Sequence, residues 1–282
     1  MPINWNTAIQ YAVLVKIAES VDPSGSYGAA EINEISTAGY TFLQAIYGDD
    51  LATDADPHIG DVVTFGFLGV SATGELVAAI RGTDSILEWL DDANFLMVPN
   101  PIAGSHGSTE DGFTAVYKSL RIGQANGTQS AKDSIQSYLA SGAATTVTVC
   151  GHSLGGALAT LLTLDVGLNT SCTTPTAYTY ASPRTGDHTF AGSYNAAIAS
   201  SFRIENRKDV VPKLPPPLPL LYEHVNTKYE LIPPANQVNP TLLCMHHLTT
   251  YLWLMAQLAG ASGYPLDSSC VPPAGAVASL HI

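Results

Sequence analysis

Basic residues are scarce in this chain of 282 residues, which has 11 lysines and arginines against 24 aspartates and glutamates, a formal net charge of −13. A field of this sign repels phosphate backbones and anionic membrane surfaces, so nucleic-acid binding is not expected. Charged residues make up only 12% of the sequence and apolar residues 46%, which is enough to bury a large core. We expect a single domain over residues 1–282.

Long apolar runs and a basic N-terminus are also missing. No stretch approaches the roughly 20 apolar residues that a membrane-spanning helix requires, so we expect no transmembrane segment. The first 20 residues lack the basic start of a signal peptide and carry Lys16 and Glu19 after an apolar stretch that fits a packing helix. The sequence favours an intracellular protein or a mature chain with an added Met, and it leaves the localisation open.

Cysteine is rare, and its spacing argues against common metal sites. Cys150, Cys172, Cys244 and Cys270 form no CxxC pair and no His/Cys pattern typical of zinc. We therefore expect no metal and no cofactor. Cys244 and Cys270 flank the C-terminal segment and could form a disulfide in an oxidising compartment, with reduced buried thiols as the alternative.

Segments with strand and helix character alternate along the chain. Strands are predicted on both sides of a turn at Thr73-Gly74 within 61–83, and at 145–150, 175–183 and 201–206. Helices are predicted at 113–140 with an interruption near 123–127, and at 157–168, 187–199 and 241–260. This alternation is typical of an α/β fold in which helices cover both faces of a mostly parallel sheet.

The most specific motif is a strand that leads directly into Gly151-His152-Ser153-Leu154-Gly155 and then into a helix. Glycine is needed at 151 and 155 because side chains there would strike neighbouring backbone. Such a turn exposes the Ser153 hydroxyl and directs the Leu154 amide to the point where an oxyanion would form. The pattern predicts a nucleophile elbow, and the alternative is a packing turn without chemistry.

A nucleophilic serine needs a base and an acid that orients the base, and in folds with this elbow the chain order is serine, acid, histidine. The candidate acids after Ser153 are Asp165, Asp187, Glu205 and Asp209. Asp165 lies inside the helix that leaves the elbow, and Asp187 is explained as a helix cap. Asp209 follows a strand, where catalytic groups of a parallel sheet collect, and is therefore predicted to be the acid.

Six segments, in order, resemble the fungal-type or class 3 triacylglycerol lipases, which have the α/β-hydrolase fold. They are IRGTDSILEWLDD, EDGF, VTVCGHSLGGALATL, YASPRTGDHTFA, ENRKDVVPKLPP and LYEHVNTKYELI, within roughly residues 60–255. The resemblance implies a carboxylic ester hydrolase acting on acylglycerols, in transient contact with a lipid–water interface. Phospholipase A1 or feruloyl-type esterase activity is the alternative within esterases, and a non-catalytic binding protein is the alternative from another class.

The same resemblance implies a role for several positions. It makes Ser153 the nucleophile and Asp209 the acid, and it places the oxyanion hole at the backbone amides of Thr83 and Leu154. Asp92 matches the position that orients the Thr83 hydroxyl, with an ordinary surface aspartate as the alternative.

The resemblance also implies a short helical lid over about residues 85–95, with simple packing as the alternative. Its apolar face would consist of Ile86, Trp89 and Leu90. Glu110 departs from the family pattern because it stands where a histidine is usual, and this departure concerns how the lid is anchored.

The base is a choice between the adjacent His246 and His247. If the chain were all helix from 246 onward, His247 would lie on an apolar stripe, where a histidine is more often packed than catalytic, and His246 on a less buried face. The base, however, normally lies on a loop just before the helix. The family pattern His-x-Leu/Met-x-x-Tyr fits His246 through Leu248 and Tyr251, whereas the pattern that selects His247 requires an aromatic residue at Thr250. We therefore predict His246 as the base. The resemblance makes His152 and His224 structural neighbours of the site.

Overall fold

The computed structural model describes residues 2–50, 61–83, 95–219 and 221–273. Its helices are α1 (Trp5–Ser20), α2 (Ala29–Thr37), α3 (Asp111–Ser119), α4 (Ala131–Ala140), α5 (Leu154–Asn169), α6 (His188–Ala197), α7 (Leu242–His246) and α8 (Leu248–Ala259), with short 3-10 helices at Val211–Lys213 and Ser268–Cys270. Its strands are β1 (Tyr40–Asp49), β2 (Val62–Ser71), β3 (Glu75–Ile80), β4 (Met97–Pro99), β5 (Ser108–Glu110), β6 (Arg121–Ile122), β7 (Thr146–His152), β8 (Thr176–Tyr180), β9 (Gly186–Asp187), β10 (Ser200–Asn206), β11 (Tyr222–Glu223) and β12 (Lys228–Leu231).

The main sheet has eight strands in the order β12-β10-β8-β7-β3-β2-β1-β6. The five strands from β12 to β3 pair in parallel, and β2, β1 and β6 extend the sheet in antiparallel pairings. A smaller antiparallel sheet has the order β11-β9-β5-β4. The predicted mostly parallel α/β sheet is confirmed.

Helices cover both faces of the main sheet because its strand residues alternate between two apolar cores. On β3, Val77 and Ala79 face one core with α1 and α8, whereas Leu76 and Ala78 face the other with α3, α4 and α5. The apolar helix that follows the elbow, α5, is buried along nearly its whole length. Among the described residues, no helix combines the length and apolar character needed to cross a membrane.

Several predicted elements differ from the structure. The helical segment predicted over 113–140, with an interruption near 123–127, is two helices, α3 and α4, and the interruption also contains the short strand β6, which was not predicted. Strand β1 and helix α2 lie in a region for which the sequence patterns predicted no element. β1 nevertheless pairs with β2 over its whole length and enlarges the antiparallel half of the sheet.

The helix-like stretch predicted over 241–260 is helical, but it consists of two helices. The chain leaves helical conformation at His247, where φ is −58° and ψ 132°, so α7 ends and α8 begins there. The Thr250 hydroxyl donates a hydrogen bond of 2.7 Å to the Cys244 carbonyl and holds the two helices at this break. The burial expected from one helix is therefore reversed, because His246 is buried and His247 exposed.

A disulfide joins Cys244 in the middle of α7 to Cys270 in the last 3-10 helix. Cys150 and Cys172 are buried free thiols. The bond closes a loop in which the two cysteines are 26 positions apart. It therefore anchors the short helix that carries His246 to the end of the described chain.

Removing this disulfide is expected to destabilise the protein by about 3 to 4 kcal/mol, the loop entropy that a cross-link of this span removes from the unfolded chain. The double variant Cys244→Ala/Cys270→Ala should show the loss in urea unfolding. Reductant should lower the stability of the wild type and leave the double variant unchanged. Equal sensitivity of both proteins to reductant would contradict the assignment.

Candidate active site

The turn from β7 to α5 forces Ser153 into a strained backbone conformation. Its φ is 56° and its ψ −125°, a region that residues with a side chain rarely adopt. A Cβ on Gly151 would lie 2.1 Å from the Gly155 carbonyl oxygen, and one on Gly155 would lie 2.3 Å from the Arg81 carbonyl oxygen. Both glycines are needed for these close approaches, as the sequence predicted.

Asp209 is buried just beyond β10, and several donors converge on its carboxylate. Oδ2 lies 2.9 Å from His246 Nδ1 and accepts a 2.7 Å hydrogen bond from the Tyr251 hydroxyl. Oδ1 accepts a 3.0 Å bond from the Val211 amide. Because the carboxylate is an acceptor, His246 carries a proton on Nδ1 and its Nε2 is free to accept one.

Two buried polar atoms in this region have no hydrogen-bond partner within the described part of the chain: Ser153 Oγ and His246 Nε2. His152 lies between these two residues: it directly precedes Ser153 in the chain, and its ring centroid lies 4.7 Å from that of His246. Burial lowers the pKa of His246 against the opposing effect of Asp209. The imidazole is therefore neutral at pH 7, the form that can take a proton from a serine.

A cavity of about 290 Å³ opens beside these residues, and the side chains of α7 and α8 line part of it. It is lined by Glu19, Gly82, Thr83, His152, Leu243, His246, His247 and Leu248. A second cavity of about 180 Å³ shares Gly82 and Thr83 with the first and is bordered by Leu154. A Cβ on Gly82 would lie 3.0 Å from Ser153 Cβ, so both cavities lie next to the elbow. The two residues predicted for the oxyanion hole therefore border the same space.

Glu19 and Tyr251 also belong to the site, although neither was a predicted site residue and Tyr251 entered only through the family pattern that selects His246. Glu19, near the end of α1, lies 2.8 Å from His152 Nδ1, and Tyr251 hydrogen bonds to Asp209. Glu19 is the only acidic residue of the apolar helix α1, and this isolated charge was the one available signal.

The remaining candidate acids have other partners. Asp165 accepts a hydrogen bond from the Tyr117 hydroxyl at 2.5 Å, and Asp187 caps α6 by accepting from the Phe190 amide at 2.7 Å, so the prediction of a cap is confirmed. Glu205 forms an ion pair with Arg203. None of these three contacts involves His246.

Other predicted neighbours of the site can also be located. His224 Nε2 lies 2.6 Å from the Pro212 carbonyl and 3.3 Å from Glu205. Glu110 caps α3 by accepting from the Phe113 amide at 2.7 Å, and burial raises the pKa of its carboxyl to about 7. Asp92 and the predicted lid residues Ile86, Trp89 and Leu90 lie outside the described residues.

A mostly parallel sheet, a strained serine between strand and helix, and a buried aspartate–histidine pair after the later strands define the α/β-hydrolase fold. Within this class, the chain belongs to the class 3 lipase family. The model of that family matches residues 77–218. This span includes the elbow and Asp209 and ends before the two adjacent histidines.

Related proteins include lipases and phospholipases. The chain is 33% identical over 230 residues to Phospholipase A1-II 7 of Oryza sativa subsp. indica, covering 69% of this chain and 55% of that protein. It is 33% identical over 174 residues to the secreted mono- and diacylglycerol lipase A of Penicillium cyclopium, covering 61% and 53%. The chain thus spans about half the length of the curated relatives it matches.

Solved structures share the fold. A mutant form of MDLA from Penicillium cyclopium has a TM-score of 0.62 at 24% identity, and the match covers 83% of each chain. The native Rhizomucor miehei lipase propeptide complex has a TM-score of 0.60 at 22% identity, covering 80% of this chain and 68% of that one.

The elbow glycines allow a test with a matched control. Gly155→Ala should destabilise the protein by about 3 kcal/mol or more, because the new Cβ would overlap buried backbone. Gly192→Ala on α6 meets no atom within 4 Å and should stabilise by about 0.5 to 1 kcal/mol. Chemical unfolding of both variants measures the difference, and a neutral Gly155→Ala would contradict the elbow geometry.

Proposed function

We propose that this protein is a serine carboxylic ester hydrolase acting on acyl lipids through the residues Ser153, His246 and Asp209. The observation that carries the proposal is the buried pair of His246 and Asp209, whose remaining imidazole nitrogen is unpartnered among the described residues, as is the Ser153 hydroxyl. Membership of the class 3 lipase family supports ester hydrolysis as the reaction. The two apolar cores on either side of one sheet support a single hydrolase domain.

The chemistry follows the arrangement of these three side chains. Ser153 Oγ attacks the ester carbonyl while its proton passes to His246 Nε2, and Asp209 stabilises the imidazolium that forms. The tetrahedral intermediate collapses, and His246 returns the proton to the departing alcohol. Water then attacks the acyl-enzyme with His246 as base, which releases the fatty acid and restores the serine.

The carbonyl oxygen of the substrate becomes negatively charged in the tetrahedral intermediate, and hydrogen-bond donors close to it must stabilise this charge. The amide of Leu154 is the first of α5, where the helix dipole also favours negative charge. Thr83 borders both cavities at the elbow. We assign the oxyanion hole to the amides of Thr83 and Leu154, with Asp92 orienting the Thr83 hydroxyl.

The substrate class is an acylglycerol or phospholipid ester. The names of the relatives support both: one is a mono- and diacylglycerol lipase, and another is a phospholipase A1. Phospholipase A1 activity is therefore the second candidate. We assign residues 85–95, with Ile86, Trp89 and Leu90, as a lid that meets the lipid–water interface.

A fluorophosphonate probe tests the nucleophile. The wild type should be labelled once per chain at Ser153, which peptide mass spectrometry can locate. Ser153→Ala should lose the label and lower ester hydrolysis by about 10⁴-fold or more while keeping its unfolding midpoint. A folded wild-type protein that takes no label would favour a non-catalytic binding protein.

The two adjacent histidines test the base. His246→Ala should lower kcat for p-nitrophenyl esters by about 10⁴-fold, because no other group accepts the serine proton. His247→Ala is the matched control, since His247 is exposed and its Nδ1 contacts Thr249 at 2.9 Å. It should retain activity within about tenfold. The opposite result would assign the base to His247.

A further inference from the structure

Both ring nitrogens of His152 face oxygen atoms. Nδ1 lies 2.8 Å from Glu19 Oε1, and Nε2 lies 2.9 Å from the backbone carbonyl oxygen of His246. A carbonyl oxygen only accepts hydrogen bonds, so Nε2 must carry a proton. An ionised carboxylate also only accepts, so Nδ1 must carry one as well.

The surroundings of the pair favour an ion pair over two neutral groups. The His152 side chain is only 7% exposed, whereas that of Glu19 is 24% exposed and borders the cavity. Burial opposes a charge on His152, but the Glu19 carboxylate, the His246 carbonyl and Asp209 together outweigh it and raise the pKa of the imidazole. Burial likewise opposes a charge on Glu19, but His152, His247 and Arg81 together outweigh it and lower the pKa of the carboxyl.

We propose that Glu19 holds His152 as an imidazolium and that this pair positions the base: the cation donates to the His246 carbonyl and stacks against the His246 ring. Glu19 and His152 are thus positioning residues that act through His246. This inference rests on the proposed function for its consequence in catalysis, but the charged state of His152 can be tested without it.

The contact between the two rings gives the pair an electrostatic role. Their centroids are 4.7 Å apart and their planes 34° from parallel. Burial and the His152 cation both oppose protonation of His246 and lower the pKa of the base, whereas the Asp209 carboxylate and, after His152 in strength, the Glu19 carboxylate raise it. The resting base therefore stays neutral to lower pH than it would beside an uncharged residue.

Other charged and titratable groups face the pair from each neighbouring element. Asp209 acts on His152 from beyond β10, and the Tyr251 ring of α8 lies with its centroid 6.0 Å from that of His152. Arg81 after β3 and His247 between α7 and α8 both act on Glu19 and favour its charge. The carboxylates of Glu19 and Asp209 thus flank two stacked imidazoles, of which only His152 is charged at rest.

Nitrogen-15 NMR of protein with labelled histidines tests the charged state directly. At pH 7.5, about one unit above the ordinary pKa of histidine, His152 should show two protonated ring nitrogens, whereas His246 should show one protonated and one imine-type nitrogen. The His152 signals are assigned by their loss in His152→Gln. A neutral His152 with one imine-type nitrogen would overturn the proposal.

The pH profile of kcat/KM tests the effect on the base. Glu19→Gln removes both the cation beside His246 and the Glu19 carboxylate, which act on the base in opposite directions, and the nearer His152 acts more strongly. The acid limb should therefore move up by up to about one pH unit, and kcat/KM on that limb should fall by up to about tenfold. The plateau near pH 8 should change by less than about threefold. Glu19→Asp, which keeps the charge, should restore part of the acid limb.

Glu34→Gln on α2 is the matched control, because Glu34 is exposed and lines neither cavity at the elbow. It should leave the profile unchanged. An equal loss at every pH in Glu19→Gln would mean a purely structural role and overturn the proposal. If the wild type hydrolyses no ester, the proposed function fails, while the NMR spectrum still decides the ion pair. If Glu19→Gln does not fold, the wild-type spectrum alone decides it.

Discussion

The buried carboxylate of Asp209 is the point on which the C-terminal third of the structure depends. A buried charge is costly unless donors surround it, and here the donors come from three separate segments: the Val211 amide, the His246 ring and the Tyr251 hydroxyl. Satisfying this one group therefore fixes where α7 and α8 lie against the end of β10. Asn206 reinforces the same arrangement, since its side chain donates to the Met245 carbonyl at 2.7 Å.

The break between α7 and α8 is a consequence of these bonds and explains why the base was difficult to choose. In a continuous helix His246 and His247 would point about 100° apart and the apolar stripe would bury His247. In the structure the chain turns at His247, so His246 is buried against Asp209 and His247 is exposed. Helical periodicity assigned burial to the wrong histidine, whereas the family spacing from His246 to Tyr251 selected the residue that contacts Asp209.

The sequence was most informative where the chemistry is local. The elbow is made by consecutive residues around Ser153, and the position of Asp209 follows from one strand end, so both could be located from pattern alone. The role of Glu19 could not be located in this way, because it lies 133 positions from His152 and meets it only when α1 packs on the sheet. Strand β1 was missed for a similar reason, since its place in the sheet depends on its pairing with β2.

Four titratable groups form a row beside the elbow: Asp209, the His246 ring, the His152 ring and Glu19 follow one another at hydrogen-bonding or stacking distance. If His152 is an imidazolium, each carboxylate neutralises or orients one ring, and the group as a whole carries a single negative charge. A proton transferred to His246 then makes the group neutral. Although the protein is acidic, the protonation of His246 therefore depends mainly on these neighbouring groups and little on distant surface charges. Short-range interactions in a buried site are stronger than interactions that solvent and salt screen.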